Sequence, residues 1–143
     1  MTEALLREIA TLVGLVFSSV GLCATALQMH RSRQFQRENT AKGIYRDYLK
    51  MATDNPVMAD GDLKEIAKLE LNKKYKWFVS YFLWACEEVI EFAPDDEAWR
   101  TDLDRQLSYH RAYLTSAEFI NDELPFYSDG LKSLISNLSR VAR

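Results

Sequence analysis

Residues 11–37 read TLVGLVFSSVGLCATALQMHRSRQFQR. The first two-thirds of this stretch carries no charge, and the remainder is basic. Glu8 and Arg31 bracket an uncharged window, Ile9 to Met29, of 21 residues. As a helix rising about 1.5 Å per residue, that window is about 30 Å long, the thickness of a bilayer core. Nine of its residues are Leu, Ile, Val or Phe. At about −0.3 to −0.6 kcal/mol each, they favour insertion by roughly 3 to 5 kcal/mol. Thr11, Ser18, Ser19, Thr25 and Gln28 oppose it. A hydroxyl can bond a carbonyl one turn back, so the opposition is small. The window therefore predicts a transmembrane helix over 9–30.

Two alternatives stand beside this expectation. A buried soluble helix of this length without a charge is rare in a chain of 143 residues. A cleaved signal peptide has a small-x-small site in Ala24-Thr25-Ala26, but its leading segment should be positive. Here Glu3, Arg7 and Glu8 leave that segment near neutral, and the helical pattern continues past the cut. No Trp or Tyr marks either end of the window.

Arg31, Arg33 and Arg37, followed by Lys42 and Arg46, make the membrane-proximal flank basic. Basic flanks stay inside. The expected organisation is a short non-cytoplasmic N-terminus, 1–8, then the span, then a cytoplasmic helical domain, 31–143. Within the span, Gly14, Ser18, Gly21 and Thr25 recur at spacings of four and three. Such a small-residue stripe lets helices approach closely in lipid. The expected partners are the bilayer and another membrane subunit or a second copy.

The rest of the chain predicts an all-α fold. Helical pattern continues from Arg31 to about Thr53, with Phe35, Ile44, Tyr45, Tyr48, Leu49 and Ala52 as its apolar stripe, and Asp54-Asn55-Pro56 stops it. Residues 57–62 read as a loop, and a short helix starts at Leu63. An aromatic helix follows, with Tyr75, Val79, Phe82, Cys86, Val89 and Ala93 on one face and Trp77, Tyr81 and Trp84 on another. Its uncharged part, Trp77 to Cys86, is too short to cross a bilayer, so it predicts the central helix of a bundle. Trp77, Trp84, Phe126 and Tyr127 are assigned to the core on this reading, with a partner groove as the alternative. Pro94 ends this helix. Trp99, Leu103, Leu107, His110 and Leu114 predict the next, Thr115-Ser116-Ala117-Glu118 a capping box, and Ser128 a cap for a last helix carrying Leu131, Leu134, Ile135, Leu138 and Val141.

Little in the sequence points to chemistry. Net charge is −3, which argues against general nucleic-acid binding. There is no Gly-rich nucleotide loop, no nucleophile context and no calcium loop. Cys23 and Cys86 give no disulfide framework. Glu87, Glu88 and Glu91 on one helix and His110 on the next are the one conceivable carboxylate–histidine metal set. Position 107, three before His110, is Leu, where a di-iron bundle needs Glu. No enzyme activity and no cofactor are expected. Charge is segregated: Lys64 to Lys76 holds five lysines, while residues 87–104 hold eight acids against Arg100.

The motifs resemble a broad group of uncharacterised bacterial single-pass membrane proteins with a helical cytoplasmic domain. The resemblance lies in Ala26-Leu27-Gln28-Met29 followed by HRSRQFQREN, in Asp54-Asn55-Pro56, in the aromatic helix and in Trp99-Arg100. The group's later paired tryptophans are missing here, where the chain has Ser116-Ala117-Glu118-Phe119-Ile120. The resemblance implies an inner-membrane helix with a cytoplasmic bundle and brings no activity. The function expected is that of a non-enzymatic accessory or regulatory subunit of a membrane complex. The alternative is a self-associating sensor or effector of stress or phage defence.

Overall fold

A computed structural model describes the backbone of residues 2–140 and the side chains of residues 18–138. Its described elements are all helical. They are α1 (Thr2–Asp54), α2 (Pro56–Ala59), α3 (Leu63–Lys68), α4 (Asn72–Phe92), α5 (Glu97–Tyr109), α6 (Arg111–Leu114) and α7 (Asp129–Arg140). A π-helical turn, Phe119–Glu123, and a 3-10 turn, Leu124–Phe126, lie between α6 and α7. The chain divides into two compact units, Met1–Arg37 and Glu38–Arg143. Among the described residues, no helix is long and apolar enough to cross a membrane. The side chains of residues 9–17, which open the expected span, lie outside those residues, as do Gly14 and Val141 of the expected stripes.

In the first unit, α1 is helical through the whole expected span. Ser18, Gly21 and Thr25 are exposed, and so are Arg31, Arg33 and Phe35. Phe35 was expected in the apolar stripe. It precedes Ala41, the first residue of α1 to enter the core of the second unit.

The second unit is a helical bundle with one core. From α1 it takes Ala41, Tyr45 and Tyr48, spaced four and three so that they share a face. Leu49, also assigned to the stripe, is largely exposed. Thr53 Oγ1 donates to the Leu49 carbonyl at 2.8 Å within the last turns of α1, and Asn55 Nδ2 donates to the Met51 carbonyl at 2.9 Å, satisfying a group the helix end would orphan. Pro56 then supplies the first helical position of α2, its missing N–H costing nothing there. Part of the expected loop 57–62 is therefore a single helical turn, with the Ala59 and Asp60 N–H groups donating to Asn55 and Pro56 carbonyls. Gly61 ends it at φ +66°. A Cβ at Gly61 would lie 2.1 Å from the Tyr109 carbonyl oxygen, so the turn presses directly on the end of α5. Asp62 Oδ1 accepts the Lys64 and Glu65 N–H groups and starts α3.

Helix α3 ends with Glu70 in the left-handed region at φ 56°. The Leu71 N–H donates to the Ile66 carbonyl and the Glu70 N–H to the Ala67 carbonyl, the paired bonds of a Schellman cap. Helix α4 then buries Tyr75, Phe78, Val79, Phe82, Leu83, Ala85, Cys86 and Val89. Asp96 caps α5 by accepting the Ala98 and Trp99 N–H groups. The expected stripe Leu103, Leu107, His110, Leu114 is buried, but the helix tightens at His110, whose N–H reaches back to Leu107, and α6 begins anew. Of the expected capping box, Ser116 rather than Thr115 does the capping, receiving the Phe119 N–H at 3.2 Å. Glu118 turns away to pair with Lys76. Ser128 Oγ accepts the Leu131 N–H, and α7 buries Leu131, Leu134, Ile135 and Leu138.

Two substitutions test these joints. Gly61→Ala forces a side chain into a left-handed residue and against a carbonyl, and should lower unfolding stability by at least about 2 kcal/mol. A variant with unchanged thermal stability would refute the close approach. Glu70→Gly relieves the left-handed strain at the α3 cap and should raise stability by about 0.5 to 1 kcal/mol, read as a higher melting temperature.

Candidate functional site

Helix α4 has one face in the core and one outside it. The sequence pattern gives nearly all of α4 to the core, and here the structure corrects it. Trp77 is 72% exposed, Trp84 46% and Phe126 87%. Tyr127 is half-buried and packs on the core through Phe119. The reason is geometric. Tyr75, Val79, Phe82, Cys86 and Val89 already fill the face that meets the other helices, and Trp77 and Trp84 lie on the opposite one. Trp77, Trp84 and Phe126 therefore leave the core assignment, and Tyr127 keeps it in part.

Two grooves border Trp77. One, of about 450 Å³, lies between Lys73, Lys76 and Trp77 on α4 and Asp122, Phe126 and Tyr127 beyond α6. The other, of about 520 Å³, lies between Trp77, Tyr81 and Trp84 on α4 and Met51 and Met58 at the end of α1 and in α2. Tyr81 and Trp84 pack edge to face at 5.8 Å between ring centres, so the second wall is braced. The first groove owes its far wall to the π-helical turn. The Leu124 N–H donates to the Phe119 carbonyl, five residues back, and this wider turn carries Asp122 and Glu123 to the rim. Tyr113 anchors that turn by donating to Glu123 at 2.6 Å. Lys76 crosses from α4 to Glu118, whose carboxylate holds the ammonium above its usual range.

The conceivable metal set does not come together. His110 is fully buried among rings of Tyr75, Phe78 and Phe82. Its Nδ1 lies 3.0 Å from the Tyr75 hydroxyl. Glu87 instead receives the Ser128 N–H at 2.6 Å. Among the described residues, no three His, Cys, Asp or Glu side chains are grouped to hold a metal ion. Burial also pushes the Cys86 thiol well up, which keeps it protonated and unreactive.

In the first unit, Thr25 Oγ1 donates to the Gly21 carbonyl at 2.9 Å. The hydroxyl is thus satisfied inside its own helix. Beyond its chain neighbours and the backbone of its own helix, a Gly21 Cβ would meet no described atom within 4 Å.

No family model, curated protein or solved structure matches the chain.

Burial pushes the His110 imidazole down to about 4 from its ordinary 6.5. Above pH 6.5 the ring is neutral in both folded and unfolded chains. As pH falls through 6.5 the unfolded chain takes up a proton that the folded one refuses, so stability drops until about pH 4. The loss should approach roughly 3 kcal/mol. His110→Phe should be less stable at pH 7 and lose markedly less on acidification, as read from denaturant midpoints at pH 7 and 4. Parallel losses in both proteins would rule the histidine out.

Proposed function

We propose that this chain is a membrane-anchored, non-enzymatic protein that works by contact, as an accessory or regulatory subunit of a membrane protein complex. The observation that carries the contact reading is the exposed aromatic face of α4, with Trp77 standing between two grooves. A contiguous exposed aromatic patch rimmed by polar residues marks an interaction site, and tryptophan anchors dominate binding energy at interfaces. Lysines and carboxylates rim the first groove, as a polar rim surrounds an apolar contact.

The anchor rests on the sequence. The uncharged window 9–29, followed by Arg31, Arg33 and Arg37, supports one span in a bacterial inner membrane with the bundle in the cytoplasm. This agrees with the family resemblance of the motifs around Ala26-Leu27-Gln28 and Asp54-Asn55-Pro56.

A second reading is a self-associating sensor or effector. It is favoured by the sequence spacing of Gly14, Ser18, Gly21 and Thr25, a small-residue stripe suited to a partner helix, and by the bond of the Thr25 hydroxyl within its own helix.

Purification from source membranes in mild detergent, with mass and composition read together, tests both. The accessory reading expects recovery at a fixed ratio with another protein. Recovery in the soluble fraction would overturn the anchor. A homo-oligomer dissociated by Gly14→Leu with Gly21→Leu would establish the second reading.

A further inference from the structure

The outward residues of α4 form a stripe at alternating spacings of four and three: Lys73, Trp77, Ser80, Trp84, Glu87 and Glu91. The stripe is bipolar. Its first turn is basic, with Lys74 beside Lys73, and its last two turns are acidic, with Glu88 beside Glu87. Between the charged ends lie two tryptophans separated by one small residue. Ser80 Oγ donates to the Lys76 carbonyl at 2.9 Å, so covering Ser80 strands no donor. A surface of this design matches its own reverse. A copy laid parallel would place base on base and acid on acid. A copy laid antiparallel places base on acid at both ends at once and leaves Trp77, Ser80 and Trp84 of each chain to interleave.

We infer that the occupant of this face is a second copy of the chain, packed antiparallel along α4 about a twofold axis near Ser80. This rests on the reading of the α4 face as a contact surface. The twofold repeats every contact, so two exposed tryptophans become four buried ones. The tryptophans supply the affinity, and the charged ends fix the direction of approach. Lys74, Lys76 and Glu87 already make internal contacts with Asn55, Glu118 and Ser128, so the directional test falls on Lys73 and Glu88.

The test uses the full chain in mild detergent, with mass followed by light scattering over a concentration series. The wild type should be a dimer. Trp77→Ser with Trp84→Ser should raise the dimer dissociation constant at least a hundredfold. Lys73→Glu should weaken the dimer at least tenfold, and so should Glu88→Lys. Mixing the two charge-reversed chains should restore a heterodimer, an outcome misfolded variants cannot give. A chain monomeric at all concentrations would overturn the inference. So would a dimer indifferent to the α4 changes but broken by Gly14→Leu with Gly21→Leu. A monomer that binds a different protein through Trp77 and Trp84 would overturn it while upholding the contact reading. A monomer whose Trp77 emission is quenched by brominated lipid would assign the face to the bilayer surface instead.

Discussion

A buried tyrosine brings a ring that packs well and a hydroxyl that must find a partner. The bundle depends on meeting that demand four times. Tyr45 donates to Asp102, Tyr48 reaches Gln106 at 3.4 Å, Tyr75 meets His110 and Tyr113 donates to Glu123. Asp102, Gln106 and His110 recur every four residues, so they form one polar line along α5 and its end. This line receives α1 twice and α4 once. The same rings hold the apolar contacts, with Tyr48 stacked on Phe82 at 4.4 Å and Tyr45 edge-on to Trp99 at 5.2 Å. A slip of one turn between α1 and α5 would strand two hydroxyls and unstack a ring. The pairing therefore sets register as well as stability.

That register decides what α4 has left over. With its inner face committed to Tyr48, Tyr113, His110 and the apolar side of α7, Trp77 and Trp84 have nowhere inward to go. The grooves beside them are made by neighbours placed for other reasons. Met51 and Met58 stand where Pro56 turns the chain, and Phe126 stands where Ser116 and the π-helical turn redirect it. Met side chains adapt to what they meet, and aromatic walls supply area at small entropic cost. The exposed aromatic face is thus a consequence of how the core closes.

Much of this architecture was legible in the sequence. Pro56 and Pro94 mark helix ends, Ser128 marks the start of α7, and the spacing of Leu131, Leu134, Ile135 and Leu138 gives its buried face. Local signals suffice for such features because helix caps and periodicity are local physics. The misjudged residues were those whose fate depends on distant partners. An aromatic residue on a short, apolar helix looks the same whether it faces Leu131 or water, so Trp77, Trp84 and Phe126 were placed in the core. Phe35 failed similarly, since periodicity cannot say where a long helix meets its bundle. The spacing put His110 in the apolar stripe, but it could not name the ring's partner, because Tyr75 is 35 residues away. Gly61 gave no sign that its missing Cβ makes room for the Tyr109 carbonyl.

If the outer face of α4 is a contact surface, it should be covered wherever its partner is present. Hydroxyl-radical footprinting of the full chain reads this, comparing source membranes with the dilute, detergent-dispersed protein. Trp77, Trp84 and Phe126 should be protected in membranes and oxidised after dispersal, while Phe82 and Phe119 stay protected in both. Equal oxidation of Trp77 and Trp84 in the two states would contradict it.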